Sequence, residues 1–237
     1  MVRKKSKYLI VYENIKQQIT NGDYRIGDLL LAEPYLQKEH NVSRITVRHA
    51  VDLLIEEGYV QRIHGIGTIV LSQKKSLQLK DLLSFSEENS GYGVESQLIS
   101  FKENVTASKL VSSYLNIPEG SNVTCHERLR YVDDMAIGFQ RVYSPPFIQL
   151  ESDELSDPNA SLYKLFEDKG FIVHNAEESI ESIVADEHLA SMLSVKENSP
   201  LLYVQRITND RKGQIVEYAE FFYRGDQYRY NVNLQAP

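Results

Sequence analysis

The fold of the first third of the chain is decided by one stretch, Val42-Ser43-Arg44-Ile45-Thr46-Val47-Arg48-His49-Ala50-Val51-Asp52-Leu53-Leu54-Ile55-Glu56-Glu57-Gly58. Ser43 is a favourable N-cap and Gly58 a favourable C-cap, so a single helix is predicted between them. Apolar residues recur at helical spacing and define its buried stripe: Val47, Ala50, Val51, Leu54 and Ile55. At about 100° per residue, the opposite face carries Arg44, Ile45, Arg48, His49 and Asp52. Two arginines one turn apart therefore project from the half of the helix whose dipole attracts phosphate.

The segments on either side of this helix complete a known order of elements. Apolar residues three and four apart predict a helix over residues 8–20, and a short second helix can begin near Pro34 and stop by Asn41. After the central helix, residues 59–63 and 68–71 flank a glycine-rich turn and predict a β-hairpin with a basic tip. This is the order of a winged helix-turn-helix, in which one helix enters the major groove and the wing contacts the backbone or minor groove.

Charge divides the chain into two unlike parts. Residues 1–75 hold 12 Lys and Arg against 8 Asp and Glu, whereas residues 76–237 hold 14 against 25. Attraction to phosphate depends on where charge lies, so the net charge of −7 does not argue against nucleic acid. We expect a DNA-binding domain over residues 1–75 and a second domain over residues 76–237.

Cysteine content and hydropathy indicate the compartment. The single cysteine, Cys125, allows neither an internal disulfide nor a thiolate metal site, which favours a reducing compartment. No uninterrupted apolar run suggests a signal peptide or a membrane span, and no internal repeat is apparent. We therefore expect a cytoplasmic protein without a cofactor or a metal site.

Three linked motifs in the first domain resemble the DNA-binding domain of GntR-type bacterial repressors. They are Val42-Ser43-Arg44-Ile45-Thr46-Val47-Arg48, Leu54-Ile55-Glu56-Glu57-Gly58-Tyr59-Val60 and Gly65-Ile66-Gly67-Thr68-Ile69-Val70. The resemblance implies DNA contacts from Ser43, Arg44, Thr46 and Arg48, with the wing placed by His64 and Gly65. The DNA-binding residues predicted from pattern and resemblance together are Ser43, Arg44, Thr46, Arg48, His49, Arg62, His64, Gly65 and Gly67.

The sequence departs from this family at one place, and several residues have a plainer interpretation. Relatives carry Leu-Pro-Ser-Glu-Arg before the second helix, whereas this chain has Leu30-Leu31-Ala32-Glu33-Pro34, so the usual DNA-contacting arginine is replaced by Pro34. We expect a weakened or altered contact there. An arginine pair on a helix is otherwise a solvated face, His49 is as compatible with simple exposure as with base reading, and the glycines suit any tight turn.

In the remaining two-thirds, strands alternate with short helices. Strands are predicted over residues 95–102, 122–132, 136–142, 172–184, 200–208, 215–223 and 227–234. Helices are predicted near residues 107–115, 161–169 and 186–193, with a further short helix suggested by Leu79, Leu82, Leu83 and Phe85. Short turns between strands favour a largely antiparallel sheet with flanking helices, so the fold class is α+β.

This second part resembles the UTRA domain, the effector-binding partner in the HutC branch of GntR-type regulators, whose fold is like that of chorismate lyase. The residues that carry the resemblance are Leu83-Ser84-Phe85-Ser86-Glu87, Arg128-Leu129-Arg130, Ser161-Leu162-Tyr163, Pro200-Leu201-Leu202, Val216-Glu217-Tyr218 and Tyr223-Arg224-Gly225-Asp226. Independently, apolar residues at the odd positions of the strand over 122–132 place Arg128 and Arg130 together on its other face. Two adjacent guanidinium groups repel each other unless an anion joins them.

The resemblance implies an effector site built around this arginine pair. Its predicted residues are Arg128, Arg130, Gln140, Ser161, Tyr163, Glu217 and Tyr223. Gln140 stands where relatives often have glutamate, so hydroxyl recognition is expected to differ. Arg128 and Arg130 could instead pair with surface carboxylates of an acidic domain.

The family resemblance implies a homodimeric repressor that binds a palindromic operator, and we expect it to respond to a small anionic metabolite such as a phosphorylated sugar. Two other classes are weighed against it. An enzyme is disfavoured because no catalytic triad order, metal-spaced cluster or phosphate loop is evident, and the histidines are scattered. A DNA-binding protein without an effector would differ in showing no stabilisation by ligands.

Overall fold

The computed structural model describes residues 6–72, 75–78, 94–132 and 134–231. Within these ranges, residues 6–78 and 227–231 form one compact unit, and residues 94–226 form the other.

The first unit is built on three helices, as the sequence predicts. They are α1 (Lys7–Asn21), α2 (Glu33–His40) and α3 (Arg44–Glu56). The apolar stripes of all three meet in one core, which contains Val11, Tyr12, Ile15, Ile19, Leu36, Val47, Ala50, Val51 and Leu54. Helix α3 ends at Glu56, and the chain then turns at Gly58, whose φ of 71° lies in the left-handed region.

The wing is the antiparallel pair β1 (Val60–Ile63) and β2 (Gly67–Val70). An isolated antiparallel bridge joins Leu29 to Ile69, so the loop before α2 lies against the second wing strand. Gly67 has a positive φ of 133°, and a Cβ at this position would lie 3.2 Å from Cδ2 of Leu29. The close approach therefore gives this glycine a structural reason to be present.

A second pair of strands belongs to the same unit. Strand β3 (Lys75–Gln78) follows the wing, and β10 (Tyr228–Asn231) lies parallel to it although some 150 residues separate them in sequence. Tyr228 is buried, and a guanidinium nitrogen of Arg229 donates a hydrogen bond to the carbonyl of Gly58, just after α3. The chain thus returns from the second unit to the residues that follow α3.

The second unit is a six-stranded antiparallel sheet in the order β4-β5-β6-β9-β8-β7. Its strands are β4 (Val94–Thr106), β5 (Asn122–Val132), β6 (Met135–Ser144), β7 (Val173–Val184), β8 (Pro200–Asp210) and β9 (Ile215–Arg224). Four short helices flank it: α4 (Lys109–Leu115), α5 (Ser152–Ser156), α6 (Leu162–Asp168) and α7 (Glu187–Leu193). These strands and helices confirm the predicted α+β class, although α5 and β3 were not predicted. The helix suggested by residues 79–85 lies outside the described residues.

The sheet contains a structural repeat that is not apparent in the sequence. A strand, a helix and a two-stranded hairpin occur twice in the same order, as β4-α4-β5-β6 and as β7-α7-β8-β9. Both helices begin at a capping side chain, Ser108 and Asp186, and both end at a left-handed residue, Asn116 and Ser194. The two copies lie on opposite sides of the sheet centre, where β6 pairs with β9.

The two faces of this sheet carry different elements. Helices α4 and α7 pack on one face, against clusters that include Val123 and Tyr218 in one case and Leu129 and Phe139 in the other. The register places Arg128 beside Gln140, and Arg130 beside Gly138, on the opposite face. We call this second face the arginine face.

Candidate functional site

The predicted functional residues lie on two surfaces, the exposed side of α3 with the wing, and the arginine face. Ser43 caps α3 by accepting a hydrogen bond from the backbone N–H of Thr46 at 3.4 Å, and its hydroxyl lies 2.8 Å from that of Thr46. Arg44 and Arg48 project into solvent, with 71% and 54% of their side chains exposed. The predicted exposed face of this helix is confirmed, and so is the buried stripe except for Ile55, which is only partly buried.

A carboxylate that the sequence reasoning missed organises these arginines. Glu33, at the start of α2, accepts a hydrogen bond from Nε of Arg44 at 3.0 Å and lies 3.6 Å from Nε of Arg48. Its other neighbour is Nη2 of Arg62 in the wing, at 4.0 Å. One acidic side chain thus holds three predicted DNA-binding cations near one another. The pairing of Glu33 could not be predicted from its place before Pro34, because its three partners lie on α3 and in the wing.

The remaining predicted DNA-binding residues lie around this cluster. The ring of His49 stacks on that of Tyr8 with centroids 4.1 Å apart, and Arg62 forms an ion pair with Asp52 at 3.1 Å. His64 and Gly65 are exposed at the tip of the wing, where Gly65 has a φ of 77°. Pro34 is exposed in the first turn of α2, so no long side chain extends from that position.

On the arginine face, both predicted arginines are buried, with Arg128 fully inaccessible and Arg130 only 4% exposed. Arg130 donates hydrogen bonds to Oγ of Ser96 and to Oε1 of Gln140. Nη1 of Arg128 donates to the carbonyl of Ala160 at 3.4 Å, whereas its Nε and Nη2 have no hydrogen-bond partner. This differs from the solvated surface pairing that the sequence left open.

A second polar group lies on the same face, where α6 crosses the sheet. The carboxylate of Glu217 accepts hydrogen bonds from Thr208 at 2.7 Å and from Tyr163 at 3.1 Å, and its Oε2 has no partner. Arg206 donates to the hydroxyl of Tyr163 at 2.9 Å and pairs with Glu178 at 2.6 Å. Sequence reasoning included Tyr163 and Glu217 but missed Thr208 and Arg206.

The other predicted effector residues have clear structural surroundings. Ser161 caps α6 by accepting a hydrogen bond from the N–H of Lys164 at 3.3 Å, and it is partly exposed. Tyr223 is buried on the arginine face, where a Cβ on Gly138 would come within 2.8 Å of its ring. The structure thus brings Arg128, Arg130 and Gln140 together directly, and Tyr163 together with Glu217.

The internal repeat provides a comparison for Arg128. The equivalent residue of the second copy is Arg206, which also lies on the arginine face. Opposite Arg206, the outer strand β7 carries Glu178, whereas opposite Arg128 the outer strand β4 carries Leu98. The same fold therefore gives one arginine a carboxylate partner and leaves the other beside an apolar residue.

Burial and neighbouring charge shift the pKa values of three groups on this face. Desolvation, reinforced by Arg130 and opposed by Glu217, holds the pKa of Arg128 well below its ordinary value. Desolvation and the two arginines also lower the pKa of His126, a fully buried residue of β5 whose ring nitrogens lack hydrogen-bond partners. Burial raises the pKa of Glu217 despite nearby Arg206. The surroundings of Arg128 thus favour the arrival of negative charge.

Among the described residues, no group of three or more His, Cys, Asp or Glu side chains is placed to hold a metal ion. The described helices also include none with the length and apolar character needed to cross a membrane.

Comparison with known proteins agrees with this arrangement. Residues 7–70 match the model of bacterial regulatory proteins of the gntR family, and residues 89–229 match the UTRA domain. The crystal structure of PhnF from Mycobacterium smegmatis superposes with a TM-score of 0.66 at 25% sequence identity, covering 96% of this chain and all of that one.

Curated relatives are similar over nearly their whole length. The transcriptional repressor NagR of Bacillus subtilis is 28% identical over 226 residues, which cover 94% of this chain and 92% of that protein. MngR of Escherichia coli, a repressor of a mannosyl-D-glycerate transport and metabolism system, is 25% identical over 98% of this chain and 97% of its own. The chain therefore belongs to the gntR family of bacterial regulatory proteins, as a DNA-binding transcriptional regulator with a UTRA effector domain.

Proposed function

We propose that this regulator is a homodimeric repressor whose operator is released when an anionic metabolite binds at Arg128 and Arg130. The observation that carries the proposal is the full burial of Arg128 with two guanidinium nitrogens that have no hydrogen-bond partner, next to a second arginine. A buried guanidinium with unsatisfied donors is costly, and a phosphate or carboxylate would satisfy them through charge-assisted hydrogen bonds.

The class of metabolite is proposed from the neighbouring groups. Oε2 of Glu217 has no hydrogen-bond partner and is available to accept one from a ligand hydroxyl group, and the hydroxyl group of Tyr163 lies beside this carboxylate. An anion at the arginines and a hydroxylated body near Glu217 describe a phosphorylated sugar or sugar acid. Related repressors named for mannosyl-D-glycerate and fructoselysine systems support this class.

DNA binding is assigned to the surface of α3 and the wing. The proposed contacts come from Ser43, Arg44, Thr46, Arg48, His49, Arg62, His64, Gly65 and Gly67. In a homodimer, two such surfaces read the two half-sites of a palindrome. Glu33 holds the arginines in the free protein, and phosphate groups compete for them when DNA binds.

Thermal denaturation with a panel of phosphorylated sugars and sugar acids tests the effector proposal. A ligand at 100 times its dissociation constant adds about 2.7 kcal/mol to stability. Compounds that stabilise the protein are then added to its complex with the operator, and the affinity of the protein for the operator should fall. Linkage requires that the operator lowers the affinity for the effector by the same factor. Stabilising ligands that leave operator affinity unchanged would refute effector control.

Turnover and oligomeric state are measured on the same samples. We expect every stabilising ligand to be recovered unchanged, because the proposed site binds without chemistry. Sedimentation should give the mass of two chains. A monomer that binds operator tightly, or a consumed ligand, would contradict these parts of the proposal.

A further inference from the structure

The exposed face of α3 has one apolar side chain at its centre. Ile45 is 78% exposed, and at about 100° per residue it lies opposite the middle of the buried stripe formed by Val47, Ala50, Val51 and Leu54. It also lies in the first turn of the helix, directly after Arg44. A helix that enters the major groove with its N-terminal end therefore presents Ile45 to the base edges.

The surroundings of Ile45 are those of a surface that meets DNA. Arg44 and Arg48 project on one side of it, and Thr46 and His49 lie on the other. Ile45 lines a groove of about 500 Å³ with Lys7, Tyr8, Thr46, Arg48, His49 and Asp52. Cations on this rim suit phosphate, but an isoleucine can neither donate nor accept a hydrogen bond.

We propose that Ile45 reads thymine in the operator by packing against its 5-methyl group. The inference rests on the proposed placement of α3 in the major groove. The 5-methyl of thymine is the one methyl group that the base edges present there, and most of the other edge groups are hydrogen-bond donors and acceptors. Covering a donor or acceptor with isoleucine would leave that group without a partner, so Ile45 also disfavours other bases at this position.

The test removes the methyl group and the side chain separately. The full-length protein first selects an operator from a library of random duplexes, and each thymine is then replaced in turn by deoxyuridine, which lacks only the methyl. Affinities are measured by fluorescence anisotropy at one salt concentration. For at least one thymine, loss of one methyl contact should weaken binding by the wild type about fourfold.

The same duplexes are then bound to Ile45→Ala, which should weaken binding to the thymine operator and show no further loss with deoxyuridine at that position. Non-additivity of the two changes is the signature of direct contact. Ile26→Ala is the matched control, because Ile26 is 65% exposed in the same unit but lies outside α3. It should keep the wild-type response to deoxyuridine.

Each outcome decides the inference. Deoxyuridine tolerated at every position, or a methyl effect that persists in Ile45→Ala, would overturn the reading of thymine by Ile45 while leaving operator binding intact. If no sequence is enriched from the library, sequence-specific binding by α3 fails, and the role of Ile45 fails with it.

Discussion

Arg128 and Arg206 should respond in opposite directions to the same substitution. Both occupy equivalent positions of the internal repeat, but Arg206 pairs with Glu178 at 2.6 Å, whereas Arg128 lies beside Leu98 and keeps two nitrogens without partners. Methionine preserves much of the length of arginine and removes its charge. We predict that Arg128→Met stabilises the free protein and that Arg206→Met destabilises it.

The expected magnitudes follow from the two environments. Each unsatisfied buried donor costs about 1–3 kcal/mol, so removing the two on Arg128 should raise the free energy of unfolding by about 2 kcal/mol or more. The repulsion between Arg128 and Arg130, which contributes to the lowered pKa of Arg128, is removed as well. Breaking the partly buried Arg206–Glu178 pair leaves a carboxylate without its charge partner and should cost about 2–3 kcal/mol, less than the roughly 3–5 kcal/mol typical of a fully buried pair.

Urea denaturation of the full-length variants in a phosphate-free buffer measures these differences, since phosphate itself is an expected ligand. A second series adds inorganic phosphate. The wild type should become more stable with phosphate, and Arg128→Met should not respond, because the anion has lost the partner that the proposal gives it.

The sign of the Arg128 effect decides whether the reasoning holds. A loss of stability in Arg128→Met comparable to that in Arg206→Met would show that Arg128 is a structural residue of the sheet. An unchanged response to phosphate in Arg128→Met would separately remove this residue from the anion site.

Three further predictions concern the DNA surface and the response to pH. Glu33→Gln should increase affinity for random-sequence DNA and reduce the ratio of specific to non-specific affinity, because it frees Arg44, Arg48 and Arg62 from a shared carboxylate. Competition binding measures both affinities, and an unchanged ratio would show that Glu33 does not position these arginines for the operator. Pro34→Arg should strengthen operator binding and steepen the salt dependence by about 0.9 per added phosphate contact, and an unchanged slope would show that the position does not reach DNA. Because the pKa of His126 is lowered in the folded state, the unfolded chain binds a proton below about pH 6.5 that the folded chain does not, so stability falls as pH falls. His126→Gln lacks this titrating group, so its difference in stability from the wild type should change by up to about 1.4 kcal/mol per pH unit between pH 6.5 and 5. The raised pKa of Glu217 makes the folded state more stable as pH falls, but it does so equally in both proteins.

Much of the fold could be predicted because its signals are local. Helix α3 has a capping serine, a buried stripe and a glycine just beyond its end, and the strand over Asn122–Val132 is found with the predicted bounds. Alternation along that strand also placed Arg128 and Arg130 on one face correctly. Periodicity and capping act within a few residues, so one sequence is enough to detect them.

What could not be predicted depends on pairing between distant segments. The parallel contact of β3 with β10 leaves no pattern in either strand. Glu33 likewise shows no local signal of its role, because that role depends on ion pairs with arginines on α3 and in the wing. The repeat is hidden because only scattered residues are identical in its two copies, such as Leu115 and Leu193, while most differ, as Ser108 and Asp186 do at the two N-caps.

The repeat also explains why the site lies on one half of a nearly symmetric sheet. Placing a carboxylate opposite an arginine, as Glu178 stands opposite Arg206, satisfies the charge and leaves little attraction for a ligand anion. Placing Leu98 opposite Arg128 leaves the charge in a desolvated setting, where an incoming anion interacts strongly. The residue on the outer strand thus decides which arginine stabilises the fold and which binds an effector. Placing a carboxylate opposite Arg128 with the single substitution Leu98→Glu, while Glu178 still pairs with Arg206, should therefore abolish stabilisation by phosphate, and a chain that phosphate still stabilises would show that the outer strand does not decide where the anion binds.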